Sequence, residues 1–223
     1  MNRGDHDWAD RKERWAEKMR ARGIGQGRPR SADRLPPGQH EMAKLPVLDL
    51  GIHPQVSLRE WRLELTGAVE APLSLTWEDL LAMPQTEDTS DFHCVTTWSK
   101  YDCRWGGVAL AGVLEKVRPH PGAQFVFFTC YDGYTTNVRT AHLLDQGALL
   151  AHRLDGAALP LVHGGPVRVV LPKLYAWKSP KFVREIAFRE TDEPGFWEKR
   201  GYSTTADPWA DDRFSKDDED GAI

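Results

Sequence analysis

Chemistry is most concentrated around one cysteine. Cys94 lies in the run Asp91-Phe92-His93-Cys94-Val95-Thr96-Thr97-Trp98-Ser99, and Trp105-Gly106-Gly107-Val108 follows it. A thiolate is a soft donor, and soft donors suit transition metals. Cysteines are more often small buried hydrophobes than ligands. His93, Thr96, Thr97, Trp98 and Ser99 give Cys94 a polar and aromatic setting that an inert thiol does not need. Cys103 and Cys130 have no such company and read as structural. A second block lies downstream, in Gly164-Gly165-Pro166-Val167-Arg168 and Tyr175-Ala176-Trp177-Lys178-Ser179-Pro180-Lys181. It is basic and hydroxylated. Arg168, Lys178, Ser179 and Lys181 are of the types that hold a phosphate, and a turn of this kind can present its backbone N–H groups to an anion. The plain alternative is scattered surface charge around a strand. A thiolate and a remote phosphate grip together point to a metal cofactor with an anionic tail.

Other chemistries fare worse. The histidines stand at 6, 40, 53, 93, 120, 142, 152 and 163; none forms H-x3-H, and the chain has no C-x-x-C, so a structural zinc site is not expected. A Cys–His nucleophilic pair needs a histidine brought to Cys94 in space, with His142 and His163 as candidates. His93 is adjacent in the chain and on a strand faces the other way. Neither a Walker glycine loop nor G-x-G-x-x-G is present.

Composition narrows the classes further. The chain has 223 residues, 29 basic and 33 acidic side chains and a net charge of −4, which gives no general pull toward nucleic acid. The basic arm Gly23–Gly38 lacks the aromatic residues that nucleic-acid binding would add. Three irregularly spaced cysteines are not a disulfide framework. Residues 1–44 hold no apolar h-region, and no run is long enough to span a membrane. The expectation is a reduced, soluble, cytoplasmic protein. Nine tryptophans is a high count; Trp98, Trp105, Trp177 and Trp197 flank the blocks above and suit rigid walls, though ordinary core packing accounts for most.

The elements that must position these residues are short. Asp7–Arg22 reads as a charged helix with Trp8, Trp15 and Met19 near one face. Strands are expected at Trp61–Gly67, Pro72–Leu75, Val95–Thr97, Gln124–Thr129, Leu149–His152, Val167–Leu171 and Phe182–Phe188, the last as an edge or barrel strand. Helices are expected at Trp77–Ala82, with Thr76 as N-cap, Asp79 as capping-box partner and Pro84 as stop, and at Leu110–Val117 and Ala141–Gln146. Asp132–Asn137 begins with turn chemistry, and Asp155-Gly156 reads as a hairpin turn. The fold class is α+β. The organisation is a charged helix and arm over 1–45, one domain over 46–210 and an acidic tail over 211–223.

Taken together, the blocks at 91–99, 105–108, 132–137, 163–168 and 175–181 resemble the molybdopterin-binding domain of the sulfite oxidase family, over roughly residues 46–210. The likeness is closest to short haem-free bacterial members, similar to the catalytic subunit of the protein-methionine-sulfoxide reductase. The resemblance implies mixed, barrel-like β-sheets with short helices in a single domain, and a molybdenum–molybdopterin cofactor. By it, Cys94 binds the metal, with dithiolene sulfurs and oxo or hydroxo groups completing the set. Thr129 matches a cofactor-contacting threonine, and His163 falls where the reductase has an asparagine. Arg168 matches the family arginine; Ser179, Pro180 and Lys181 match the phosphate-holding turn, with Lys178 adding positive charge. His93 belongs to the same polar pocket, and Asp49 and His53 lie where an N-terminal loop reaches the cofactor. Tyr134 and Asn137 are the choices for the substrate side. The cysteine block lacks the nearby arginine of the sulfite oxidases, which weakens a sulfite site.

The function that follows is transfer of an oxygen atom and two electrons at a small sulfur- or nitrogen-oxo substrate. In the absence of a haem or flavin motif, an external carrier brings the electrons. A cofactor-free binding module on the same fold and a Cys94 thiol enzyme are the alternatives.

Overall fold

Period-two alternation and local turn chemistry decide most of the elements. The computed structural model describes residues 34–48 and 50–215. The helix expected at Asp7–Arg22, the start of the basic arm, Asp49 and the acidic run from Lys216 onward lie outside the described residues. In chain order the strands are β1 (His40–Glu41), β2 (Arg62–Gly67), β3 (Leu73–Thr76), β4 (Gln85–His93), β5 (Trp98–Ala109), β6 (Phe125–Cys130), β7 (Thr135–Arg139), β8 (Leu149–Leu154), β9 (Ala157–Ala158), β10 (Arg168–Val170) and β11 (Val183–Arg189). Helix α1 spans Trp77–Ala82 and α2 spans Leu110–Val117; 3-10 turns lie at Thr140–Leu144, Leu161–His163, Ala176–Lys178 and Glu198–Arg200.

These strands form two open sheets in a single domain. In the first, β1, β5, β8 and β10 follow one another, with β4 on β5 and β9 on β8; the second runs β3-β2-β11-β6-β7. Both are mixed: β1 runs parallel to β5 and β2 parallel to β11, while the other pairings are antiparallel. Mixed sheets with short helices were expected; barrel-like closure does not occur. Nor is β11 an edge strand, because β2 and β6 flank it. Its alternation reflects one well-covered face, with Ile186 and Phe188 in the main core while Glu185 and Arg189 on the other face are only half-buried.

The first sheet has apolar packing on both sides. Leu150 and Val169 join the main core, together with Leu63, Leu65, Val126 and Phe128 of the second sheet and Val113 of α2. Leu149, Ala151 and Val170 face a second cluster that holds Cys94, Trp98, Trp105, Tyr175, Trp177 and Tyr202. Successive residues of β8 and β10 therefore serve different cores, as a two-residue period requires. Arg168 pairs with Ala151, which places it on the second cluster's side.

Local signals account for several ends. Thr76 Oγ1 accepts from Asp79 N at 3.1 Å, and Asp79 Oδ2 accepts from Thr76 N at 2.9 Å, the capping box expected for α1. Asp155 and Gly156, both at positive φ, join β8 to β9 as a two-residue hairpin. Gly107 sits at a register shift between β5 and β8, and a Cβ there would lie 2.0 Å from the Leu150 carbonyl oxygen. Val95–Thr97, expected as a strand, is the turn between β4 and β5. Thr97 takes a φ of 76° and its N–H donates to the Cys94 carbonyl; closure of the hairpin overrides the β preference of Val and Thr.

Candidate active site

Cys94 directly follows the end of β4, where the chain turns. Its N–H donates to the Trp98 carbonyl at 2.9 Å, and its carbonyl accepts from Thr97 N at 3.0 Å and from Gln39 Nε2 at 3.0 Å. Arg213 donates to the Val95 carbonyl and, at 3.2 Å, to that of Pro37. The turn is thus clamped from both ends of the described chain. The Cys94 side chain is buried, and its Sγ lies 3.2 Å from Thr96 Oγ1.

A group of cations converges around Gly164. Arg168 Nη1 donates to the His163 carbonyl at 3.0 Å, Nη2 to the Ser179 carbonyl at 2.7 Å, and Lys181 Nζ to the Val162 carbonyl at 2.6 Å. Gly164 has a φ of 106°, and a Cβ on it would meet Lys181 at 3.0 Å and Arg168 at 3.1 Å. The Arg168 guanidinium is buried over the rings of Phe92 and Trp105, at 5.1 and 5.3 Å, and pairs with no described carboxylate. Burial holds its pKa down at about 10. His163 is depressed below 6.5, first by burial and then by Lys181 and Arg168, so it stays neutral beside them.

Thiol and cations line one cleft. Its walls are Leu45, Pro46, Leu48 and Leu50 of the arm, then Phe92, Cys94, Thr96 and Trp98, then Tyr134, His163 and Arg168, and then Trp177, Ser179, Pro180, Lys181, Trp197 and Tyr202. Sequence reasoning missed the arm leucines, Asp132 and Tyr202. The arm carries no periodicity, so only its short pairing with β5 and the hold of Gln39 reveal that it reaches the thiol.

Other expected site residues are not on the cleft wall. Lys178 is fully buried in an ion pair with Glu198 at 2.6 Å, so its charge faces a carboxylate rather than the cleft. Asn137 lies beneath the wall, its Oδ1 accepting from Lys178 at 2.8 Å and its Nδ2 donating to Asp192 at 2.5 Å. His93 faces away from Cys94, as strand alternation requires, with its Nδ1 2.8 Å from Ser99 Oγ and its ring near Trp209. Burial depresses its pKa. Thr129 stands within the second sheet between Glu185 and Thr135, and exposed His53 lies beside the Phe182 ring. Asp49 is outside the described residues. Tyr134 does line the cleft, but its hydroxyl donates to the Trp177 carbonyl at 2.7 Å, and burial raises its pKa well above 10.

The family model of the oxidoreductase molybdopterin binding domain matches residues 50–197. The chain belongs to this family. It is 39% identical over 195 residues to the uncharacterized oxidoreductase YuiH of Bacillus subtilis, covering 86% of this chain and 98% of that one. It is 31% identical over 157 residues to the protein-methionine-sulfoxide reductase catalytic subunit MsrP of Campylobacter jejuni, covering 63% of this chain and 52% of that relative. The chain therefore spans nearly all of the first relative and about half of the second. The sulfane dehydrogenase SoxCD from Paracoccus pantotrophus matches with a TM-score of 0.59 and 23% identity over 67% of this chain and 42% of that one, a likeness of fold.

A molybdopterin-binding oxidoreductase domain is an enzyme that carries the molybdenum cofactor, and the cleft fits such a group. Among the described residues no three His, Cys, Asp or Glu side chains gather to hold a metal ion. Arg168 is a buried cation that no described carboxylate balances, which leaves its charge open to an anionic tail. Trp98, on the cleft wall, has a buried Nε1 without a hydrogen-bond partner, a donor available to a bound group.

Proposed function

We propose that the protein transfers an oxygen atom and two electrons at a small sulfur- or nitrogen-oxo substrate, with Cys94 as the protein's thiolate to molybdenum. One observation carries this reading: the thiol shares its cleft with a buried guanidinium that no carboxylate among the described residues balances. When bound, the cofactor supplies the two-electron redox centre. The chain's own residues hold and orient it. Cys94 would hold the metal as a thiolate, its proton passing to solvent on binding. Arg168, Lys181, neutral His163 and the Ser179-Pro180 turn would hold the anionic tail. The rest of the wall is chiefly apolar and aromatic, with Thr96 and the Asp132 carboxylate among it and, among the described residues, no further cation. Such a wall supports an uncharged sulfoxide or amine N-oxide over an oxyanion, which would lose its hydration without gaining a partner.

Electrons come from an external carrier in this reading. The cytoplasm is the proposed compartment; none of the three cysteines is in a disulfide, which suits a reducing environment. Among the described residues no helix is long and apolar enough to cross a membrane.

The deciding experiment joins molybdenum and pterin analysis of the purified protein to a redox-dye screen against sulfite, sulfoxides and N-oxides. Stoichiometric metal with turnover of a sulfoxide or N-oxide is expected. Protein lacking the metal, from a host that makes molybdopterin, would defeat the reading. Alkylation separates the thiol-enzyme alternative, because a metal-bound sulfur resists the reagent. Of the two histidines open to that alternative, His142 is held by Asp145 at 2.9 Å and does not line the cleft, whereas His163 does.

A further inference from the structure

Beneath the cleft wall lies a buried polar network that the proposed chemistry does not use. Lys178 Nζ stands 2.6 Å from Glu198 Oε1, with both side chains sealed from solvent. The lysine also donates to the carbonyl and Oδ1 of Asn137, each at 2.8 Å. The same Glu198 oxygen accepts from Trp177 Nε1 and from Thr136 Oγ1, each at 2.9 Å. One carboxylate oxygen therefore ties down two consecutive residues of the 175–181 block. Glu198 Oε2, by contrast, is buried without a hydrogen-bond partner. A pair of this kind is poor value as a stabiliser, since well-packed apolar residues of similar size often serve as well. What it supplies that apolar packing does not is direction.

Trp177 is where that direction matters. Its indole lines the cleft, stacks on Tyr175 at 5.4 Å and 14°, and meets the edge of Tyr202 at 5.4 Å and 81°. Ring contacts leave an indole free to slide in its plane; a hydrogen bond to Nε1 does not. The Trp177 carbonyl is held by Tyr134, and two residues on, the Ser179 carbonyl holds Arg168. We infer that Glu198 is a positioning residue: it sets the Trp177 indole on the cleft wall and, through the short backbone to Ser179, steadies the carbonyl that aims Arg168. Lys178 supplies the counter-charge that lets the carboxylate sit there.

The activity arm of the test rests on the function proposed above; the spectroscopic arm does not. Each Glu198 change is combined with Lys178→Met, so that no buried ammonium is left alone. Lys178→Met/Glu198→Gln keeps an acceptor for the indole, and Lys178→Met/Glu198→Leu removes it. The Gln variant should keep the near-ultraviolet circular dichroism of the indole region and its molybdenum content. The Leu variant should alter that band and lose on the order of tenfold or more in kcat/KM, because a small misplacement of a group lining the site is costly in rate. With Trp177→Phe added, replacing Gln by Leu at 198 should change neither readout. Equal behaviour of the Gln and Leu variants, or a full-sized difference that survives Trp177→Phe, overturns the assignment. Should the Leu variant fail to fold, Lys178→Met/Glu198→Met, closer in shape to the Gln variant and likewise without an acceptor, takes its place, with the same outcomes supporting or overturning the role. If the wild type holds no molybdenum, the functional reading falls, and the dichroism still decides the role of Glu198.

Discussion

At the scale of single residues, two groups bear the functional reading. Cys94 is buried in a turn held by backbone bonds and by Gln39, so removing its sulfur should leave the fold intact. Cys94→Ser is expected to abolish turnover and disturb the metal's visible spectrum while far-ultraviolet dichroism stays unchanged; retained activity would exclude the ligand role. Arg168 is the complementary case. Its three bonds go to the carbonyls of Val169, His163 and Ser179, and no described carboxylate pairs with it. A charge-assisted hydrogen bond contributes roughly 1.5–3 kcal/mol, so Arg168→Gln should lower molybdenum content by about tenfold or more. Unchanged metal loading would remove this side chain from the anion grip.

At the scale of elements, the cleft depends on how β5 and β8 meet. Gly107 lies at their register shift with the Leu150 carbonyl pressed against it. Gly107→Ala puts a methyl group into backbone, and chemical denaturation should show a loss of about 1–3 kcal/mol, as overpacking does elsewhere. A variant as stable as the wild type would mean that the two strands shift at little cost. The arm matters at the same scale. It reaches the thiol by a two-residue pairing to β5 and by Gln39, while Leu45, Leu48 and Leu50 complete the wall. Gln39→Leu should therefore weaken cofactor retention more than it lowers Tm, measured by metal content beside a thermal melt.

For the molecule as a whole, titration gives a signed expectation. His93, His152 and His163 all have pKa values depressed below 6.5, with burial the first cause in each. The unfolded chain then binds more protons than the folded one between those depressed values and 6.5, so this stability is present above 6.5 and lost as pH falls below it. Asp145 and Asp212 are lowered from 3.8 by hydrogen bonds that outweigh their burial, and their contribution is lost only in more acid solution. Cofactor-free protein should melt at a lower temperature near pH 5.5 than near pH 7.5, as buried neutral histidines are forced to charge. His163→Asn should reduce that difference. A Tm that is flat across the interval would contradict the burial of these rings.

The amino-acid sequence by itself determined what short-range physics decides. Helix α2 has the bounds its pattern predicts, Thr76 and Asp79 form their capping box, and Asp155-Gly156 makes its hairpin, because each depends on neighbours a few residues away. The run around Cys94 and the 163–181 block stood out by their residue types, and the fold brings parts of both to one cleft. Strand β4 was not legible: Gln85–Asp91 is polar throughout and pairs only with β5, so no apolar alternation marks it. Least legible of all was the division of labour between Lys178 and Lys181, three positions apart in one turn. One is buried against Glu198 and Asn137, and the other lines the cleft. Only the tertiary structure settles that choice, because a cation's environment is made by carboxylates and carbonyls that distant segments bring to it.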